Sequence, residues 1–207
     1  MSKAFYQMST FLNTTPIGDM GGTWRAGESP AVASDGDPGP AMKKFIVGIS
    51  GATGAIYGIR LLEILRGVEG VETHLVLTPS GRRTIELETD FTVKQVEALA
   101  DRVYRPGDIA AAISSGSFRS AGMVVAPCSM KTASGIATSF SDNLLLRAAD
   151  VTLKDRRRLV LLVRETPLHL GHLRLLVQLA EMGAVVMRPS RPSTTAPRLW
   201  MPSSTRR

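Results

Sequence analysis

The stretch Phe45-Ile46-Val47-Gly48-Ile49-Ser50-Gly51-Ala52-Thr53-Gly54 constrains the fold more than any other part of this 207-residue chain. A short apolar run with no polar alternation suits a strand buried on both faces, the condition inside a parallel sheet. It breaks into glycines, which permit tight turning and close backbone approach. Apolar residues at Ile56, Ile59, Leu62 and Leu65 then predict a helix over 54–66. The same alternation continues. Strands are expected at 45–49, 73–77, 123–126, 159–163 and 184–187. Helices are expected at 79–87, 93–100, 141–153 and 170–182, with a further helix start after residue 132. Strands alternating with helices imply an α/β fold, a three-layer Rossmann-like or flavodoxin-like arrangement around a central parallel sheet.

Composition narrows the function. The longest apolar run falls far short of the roughly 20 residues that a membrane helix needs. A single cysteine, Cys128, excludes an internal disulfide and any multi-cysteine zinc site, and suits a reducing, cytoplasmic setting. The net charge of +7 is unevenly placed: −2 over 1–41, +4 over 42–187 and +5 over 188–207. Most of the excess is therefore a short tail, not a basic face. Aromatic residues are only 5%, so a nucleic-acid surface with interleaved aromatics is not expected. Residues 1–41 are rich in Gly, Pro, Ser and Thr and read as disordered. The shift in composition at Met42 leaves open a translation start there. The ordered domain is expected over 42–187, and 188–207 reads as a disordered tail.

In open parallel sheets ligands bind beyond the carboxyl ends of the strands. Four loops therefore matter: 50–54, 78–80, 127–132 and 164–167. In the first, glycines and a helix start offer amides to an anion, and Ser50 and Thr53 add hydroxyls. The loop lacks the G-x-G-x-x-G dinucleotide pattern, and Thr78 stands where an acid would hold a ribose. A mononucleotide fits better than NAD; a turn needed only for packing is the other reading. The third loop, Pro127-Cys128-Ser129-Met130-Lys131-Thr132, suits a flavin or phosphate edge or is an ordinary capped turn. Cys128 reads as a small buried residue. The fourth places Arg164 and Glu165 directly after a strand. Glu165 is a candidate general acid/base there, or else one half of a local ion pair or a helix cap. His169 and His172 lie three apart and could face each other, but two histidines without a third ligand are weak evidence for a metal. Arg147 and Lys154 bracket an anion site, while Arg156, Arg157 and Arg158 read as a solvated turn.

Six motifs in order resemble the UbiX-like flavin prenyltransferases. They are Gly-Ile-Ser-Gly-Ala-Thr-Gly-Ala-Ile-Tyr-Gly (48–58), Leu-Glu-Thr-Asp-Phe (87–91), Ile-Ser-Ser-Gly-Ser-Phe (113–118), Pro-Cys-Ser-Met-Lys-Thr (127–132), Arg-Ala-Ala-Asp-Val (147–151) and Val-Arg-Glu-Thr-Pro-Leu-His (163–169). The resemblance implies a homo-oligomer, commonly a dodecamer, that binds FMN at subunit boundaries. It implies transfer of a dimethylallyl group from dimethylallyl phosphate to N5 and C6 of reduced FMN, without a metal. The product, prenylated FMN, would serve a UbiD-type decarboxylase, as in ubiquinone biosynthesis. Carried over residue by residue, Gly51, Ala52, Thr53, Thr78, Ser129, Met130, Lys131, Thr132 and Arg164 would hold FMN. Glu88, Arg147 and Lys154 would surround the prenyl phosphate, and Glu165 would move protons during ring closure.

The tail departs from the family, which continues with a Phe-Tyr-His-Arg-Pro segment and an amphipathic helix. Codons permitted for residues 188–207, read two bases further on, spell Pro-Val-Pro-Ala-Phe-Tyr-His-Arg-Pro-Ala-Ser-Leu-Asp-Ala-Ile-Val-Asp-Gln-Thr. That is the family's continuation, so the tail reads as the product of one base lost near the codon of Arg188. FMN binding is then expected to survive while prenyl transfer weakens, since the family's tyrosine is missing. An FMN-binding protein without transferase activity is the alternative. A cysteine-conjugate decarboxylase fits less well, because that group carries an asparagine in the motif at 127–131. Sequencing the gene across the Arg188 codon checks the frame: codons that forbid the second reading overturn it.

Overall fold

The computed structural model describes residues 42–188. The expectations for 1–41 and 189–207 lie outside the described residues. Six strands form one parallel sheet: β1 (Lys43–Ile49), β2 (Val71–Leu77), β3 (Arg102–Tyr104), β4 (Gly122–Cys128), β5 (Arg158–Val163) and β6 (Val185–Met187). Their order is β3-β2-β1-β4-β5-β6. The chain steps one way from β1 to β3, crosses, and steps the other way from β4 to β6. The reversal lies between β1 and β4. Right-handed crossovers place α1 (Ala55–Arg66), α2 (Pro79–Glu88) and α3 (Val93–Glu97) on one face. They place α4 (Met130–Ala137), α5 (Leu144–Lys154) and α6 (Leu170–Glu181) on the other. This is the expected three-layer Rossmann-like, flavodoxin-like fold. No helix among the described residues is long and apolar enough to cross a membrane.

The expected strand and helix patterns are present, with differences at their ends. α5 begins at Leu144 rather than 141, because the Asn143 side chain caps it by accepting the Leu146 amide at 3.1 Å. α3 stops at Glu97 after starting in a Thr92/Gln95 capping box. β4 runs through Pro127 to Cys128, past its expected end at Ala126; its register against β5 shifts between Val125 and Cys128. Proline has no amide hydrogen for the ladder, and such a shift accommodates it. β3 was not expected. It is three residues long and its first two are exposed, so no apolar run marks it.

The expected solvated turn at Arg156–Arg158 is a correction. Arg158 opens β5, and only Arg156 adopts a turn conformation, with φ of 53°. The Arg157 guanidinium is 14% exposed and binds Asp155 at 2.7 Å, the Gly116 carbonyl at 2.9 Å and the Phe118 carbonyl. It anchors the 115–120 segment to the end of α5.

One core face joins Ile46, Met123, Val125, Leu159 and Leu161 of the sheet to Leu144, Leu145 and Ala148 of α5. On the other face α1 lies directly on the strands. A Cβ at Gly58 would stand 2.2 Å from the Ala126 carbonyl oxygen and 2.8 Å from Ile49. Backbone cannot yield as a side chain can, so Gly58→Ala should cost about 3 kcal/mol, read as a fall in the denaturant midpoint.

At the far side of the sheet His74 is 3% exposed. Its Nδ1 lies 2.9 Å from the Tyr104 hydroxyl and its ring meets Phe118 edge-on at 4.8 Å. Nε2 is 3.4 Å from Glu72 yet makes no hydrogen bond. Burial pushes the imidazole below its ordinary value of 6.5. Glu72 and Asp101 oppose that shift, and Lys44 and Arg102 add to it. The unfolded chain therefore takes up this proton first as pH falls. Stability from this site is complete above about 6.5 and declines below it, until the folded imidazole also protonates. The melting temperature should drop between pH 7 and 5, and His74→Gln should flatten that slope.

Candidate functional site

Because every strand runs the same way, the segments after β1, β2, β4 and β5 meet at one edge. Backbone bonds carry the sheet's pairing into them. Thr78 N–H donates to Ile49 O at 3.1 Å, Ser50 N–H to Pro127 O at 3.1 Å and Arg164 N–H to Cys128 O at 3.3 Å. Two of the expected loops shrink to single residues. Thr78 alone separates β2 from α2, and Ser129 alone separates β4 from α4. Both are helix caps. Thr78 Oγ1 accepts the Gly81 amide at 3.0 Å, and Ser129 Oγ accepts the Thr132 amide at 3.3 Å. The remaining amides of the first turn of α4, at Met130 and Lys131, are those a helix leaves without intrahelical partners.

Ser50 sits at the reversal point and is fully buried. Its hydroxyl donates to Pro127 O at 3.0 Å and accepts the Ser129 amide at 2.8 Å. The expectation that Ser50 offers a free hydroxyl to an anion is corrected: it locks the two loops that flank the site. Thr53 is exposed and keeps its hydroxyl available. Gly51 is needed for close approach, since a Cβ there would lie 2.3 Å from the Cβ of Ser80.

The charged groups divide between two places. Glu88, at the end of α2, reaches the first loop and accepts the Gly54 amide at 2.8 Å. That amide therefore points outward and binds an anion. Arg164 lies beside Gly54 and Tyr57: a Cβ at Gly54 would be 3.8 Å from Arg164 Cγ. Burial raises the Tyr57 pKa and the Arg164 charge opposes the rise. Arg164 Nε is buried without a hydrogen-bond partner among the described residues. A buried, unsatisfied guanidinium nitrogen beside an amide-rich loop is suited to an anionic ligand. Glu165 follows, and among the described residues its carboxylate accepts only the Thr166 amide, at 3.2 Å. It forms no ion pair with Arg164.

Arg147 and Lys154 lie elsewhere. α5 runs against the strands, and its first amide, at Leu144, bonds Pro106 O beyond β3. Its last residue, Lys154, is therefore about 15 Å down the helix, toward the opposite edge of the sheet. There Lys154 pairs with Asp155 at 3.5 Å. Arg147 is turned onto the Ala112–Ser114 segment, donating to Ser114 O at 3.2 Å and pairing with Asp150 at 2.9 Å. Among the described residues, neither cation bonds a residue of the loops after β1, β2, β4 or β5.

Met130 is 8% exposed and belongs to the core, as Thr132 is nearly buried at 7%, so Met130 can meet a ligand only through its backbone. Lys131 is exposed. Cys128 is fully buried and burial pushes its thiol up to about 12, an inert core residue as expected. His169 and His172 do face each other, with ring centroids 3.7 Å apart. His169 caps α6 through Nδ1. No group of three or more His, Cys, Asp or Glu that could hold a metal occurs among the described residues.

The family model described as Flavoprotein matches residues 39–197. The flavin prenyltransferase UbiX of Escherichia coli strain K12 is 64% identical over 148 residues, covering 72% of this chain and 78% of that protein. The chain belongs to the UbiX-like flavoprotein family. Two solved structures share its fold with a TM-score of 0.71. One is AnUbiX in complex with FMN and dimethylallyl pyrophosphate, 49% identical, covering 73% of this chain and 80% of that one. The other is a dodecameric FMN-dependent UbiX-like decarboxylase from Escherichia coli O157:H7, 50% identical, covering 74% of this chain and 83% of that one.

Ser50→Ala tests the lock. It leaves the buried Ser129 amide unpaired and frees the Pro127 carbonyl, so stability should fall by about 1–3 kcal/mol. FMN affinity, read by flavin fluorescence, should fall with it, because both flanking loops loosen.

Proposed function

We propose that this chain is a flavin prenyltransferase. It would join the dimethylallyl group of dimethylallyl phosphate to reduced FMN at N5 and C6, releasing phosphate. The observation that carries this reading is the edge built from Gly51–Thr53, Ser129–Thr132 and Arg164. It combines outward amides with a buried, unpaired guanidinium nitrogen, in a chain 64% identical to a protein named for that activity.

FMN fits this edge. The amides of Gly51, Ala52 and the first turn of α4, with the Thr53 hydroxyl and Arg164, would hold its phosphate and ring edge; Thr78 and Ser129 would fix the loops that present them. When bound, reduced FMN supplies the nucleophilic nitrogen and carbon. Glu165 stands at the rim with its carboxylate bound to one amide, placed to pass a proton to the allyl double bond and to recover one from the flavin carbon after it attacks. Cations near the departing phosphate stabilise the charge it acquires. Arg147 is turned onto the Ala112–Ser114 segment and Lys154 onto Asp155, so neither bonds the loops of its own subunit among the described residues. We therefore place them in the site of a neighbouring copy, with Glu88 facing the shared space. The reading thus includes a homo-oligomer, as in the dodecameric relative, with FMN at subunit boundaries. It also includes a UbiD-type decarboxylase as acceptor of the product, in a cytoplasmic setting.

The alternative, an FMN-binding protein without transferase activity, draws on the Pro- and Arg-rich sequence of 188–207. Anaerobic mixing of the chain, reduced FMN and dimethylallyl phosphate separates the two. A flavin heavier by one prenyl unit supports the transferase, and FMN retained unmodified supports the alternative. With activity in hand, Glu165→Gln should slow transfer by about 10²–10⁴-fold and leave FMN affinity nearly unchanged.

A further inference from the structure

The outer face of α6 is apolar and open. Leu170, Leu173 and Val177 are 60%, 46% and 57% exposed. Their spacing of three and four residues aligns them on one side of the helix. They line a shallow groove with Arg174, Gln178 and Glu181. Other exposed apolar residues, such as Leu87 and Phe140, stand singly and need no explanation. A continuous stripe on one helix does.

The charges on this stripe say what kind of surface covers it. Arg174 and Glu181 lie on the same face, seven residues and about 10 Å apart along the axis. The ion pairs among the described residues include neither. Val177 lies between them. A two-fold axis passing beside Val177 would set α6 antiparallel to α6 of a second copy. Arg174 of each copy would then face Glu181 of the other, and Val177 would meet Val177. One positive and one negative charge, placed on either side of an apolar centre, make the face complementary to itself. Self-complementarity is the requirement of an isologous contact.

We propose that this face of α6 is a two-fold contact between copies of the chain, with the Arg174–Glu181 pair made in trans and setting its register. The inference rests on the self-association in the proposed function and names the surface responsible for one of its contacts. A single helix pair buries less than a stable dimer needs by itself, so the contact is one of several in the assembly. The charges then supply orientation more than total affinity.

Charge exchange tests it on the full chain, with mass measured by sedimentation and folding by circular dichroism. Both residues are exposed, so the variants should fold. Arg174→Glu sets two acids against each other, and Glu181→Arg sets two cations. Each alone should weaken association about tenfold or more, seen as smaller species at a given concentration. The double variant R174E/E181R restores opposite charges and should restore the wild-type mass. Single variants that associate as well as wild type, or a double variant no better than the singles, would overturn the contact while leaving self-association intact. A wild-type chain that is monomeric at every concentration would overturn both.

Discussion

The Ser50 hydroxyl holds together the place where the chain reverses direction across its sheet. β1 sends the chain one way and β4 sends it the other, so the loops that follow them diverge into helices on opposite faces. The ladder reaches their first residue through Ser50 N–H to Pro127 O but does not by itself hold the two loops together. A buried hydroxyl that donates to Pro127 and accepts from Ser129 does so. It joins residues 77 and 79 positions away in sequence. The amides of the first loop and the start of α4 keep their relative places because this small bridge lies beneath them. Thr78 and Ser129 extend the same economy: with one residue between strand and helix, capping the helix and shaping the site are a single act.

Much of this was legible because it is local. The β1 run, the glycine turn and the period of α1 all fall within 24 residues, and each follows from the next few neighbours. The positions of the four loops at one edge followed from parallel strands alone. What stayed hidden depends on distant partners. Ser50 read as a ligand donor because Pro127 and Ser129 are invisible from its own neighbourhood. Arg157 read as solvated within a run of three arginines, yet its partners lie about 40 residues upstream in the 115–120 segment. β3 was missed since an edge strand of three residues with exposed side chains has no apolar pattern to show. The splitting of Arg147 and Lys154 from the loops was hidden for another reason: motif order tells which residues act together, not whether they act within one subunit.

That division bears on how the assembly and the chemistry are linked. On the proposed reading, a subunit presents the flavin edge in one place and two substrate-side cations in another, and would not complete a site by itself. The helix that separates them, α5, is also the most deeply packed on its face, with Leu144, Leu145, Ala148 and Ala149 all but inaccessible. The cations are thus fixed to a rigid element, and Arg157 and Asp155 fasten its end. Pre-set charges on rigid elements lose little on binding. The geometry of the proposed shared site would then be decided by how copies dock, not by motion within a copy.

The bond from the Gly54 amide to Glu88 gives the first loop an occupant of its own. In the free protein that amide is satisfied by a carboxylate from the end of α2. An anion that claims the amide must evict Glu88, and two negative charges cannot share the spot. On the proposed reading, a ligand phosphate that took this amide would also set loose an acidic side chain at the rim and loosen the tie between α2 and the loop. The loop is held by a carboxylate of α2, and an anion taking its place would free the end of that helix.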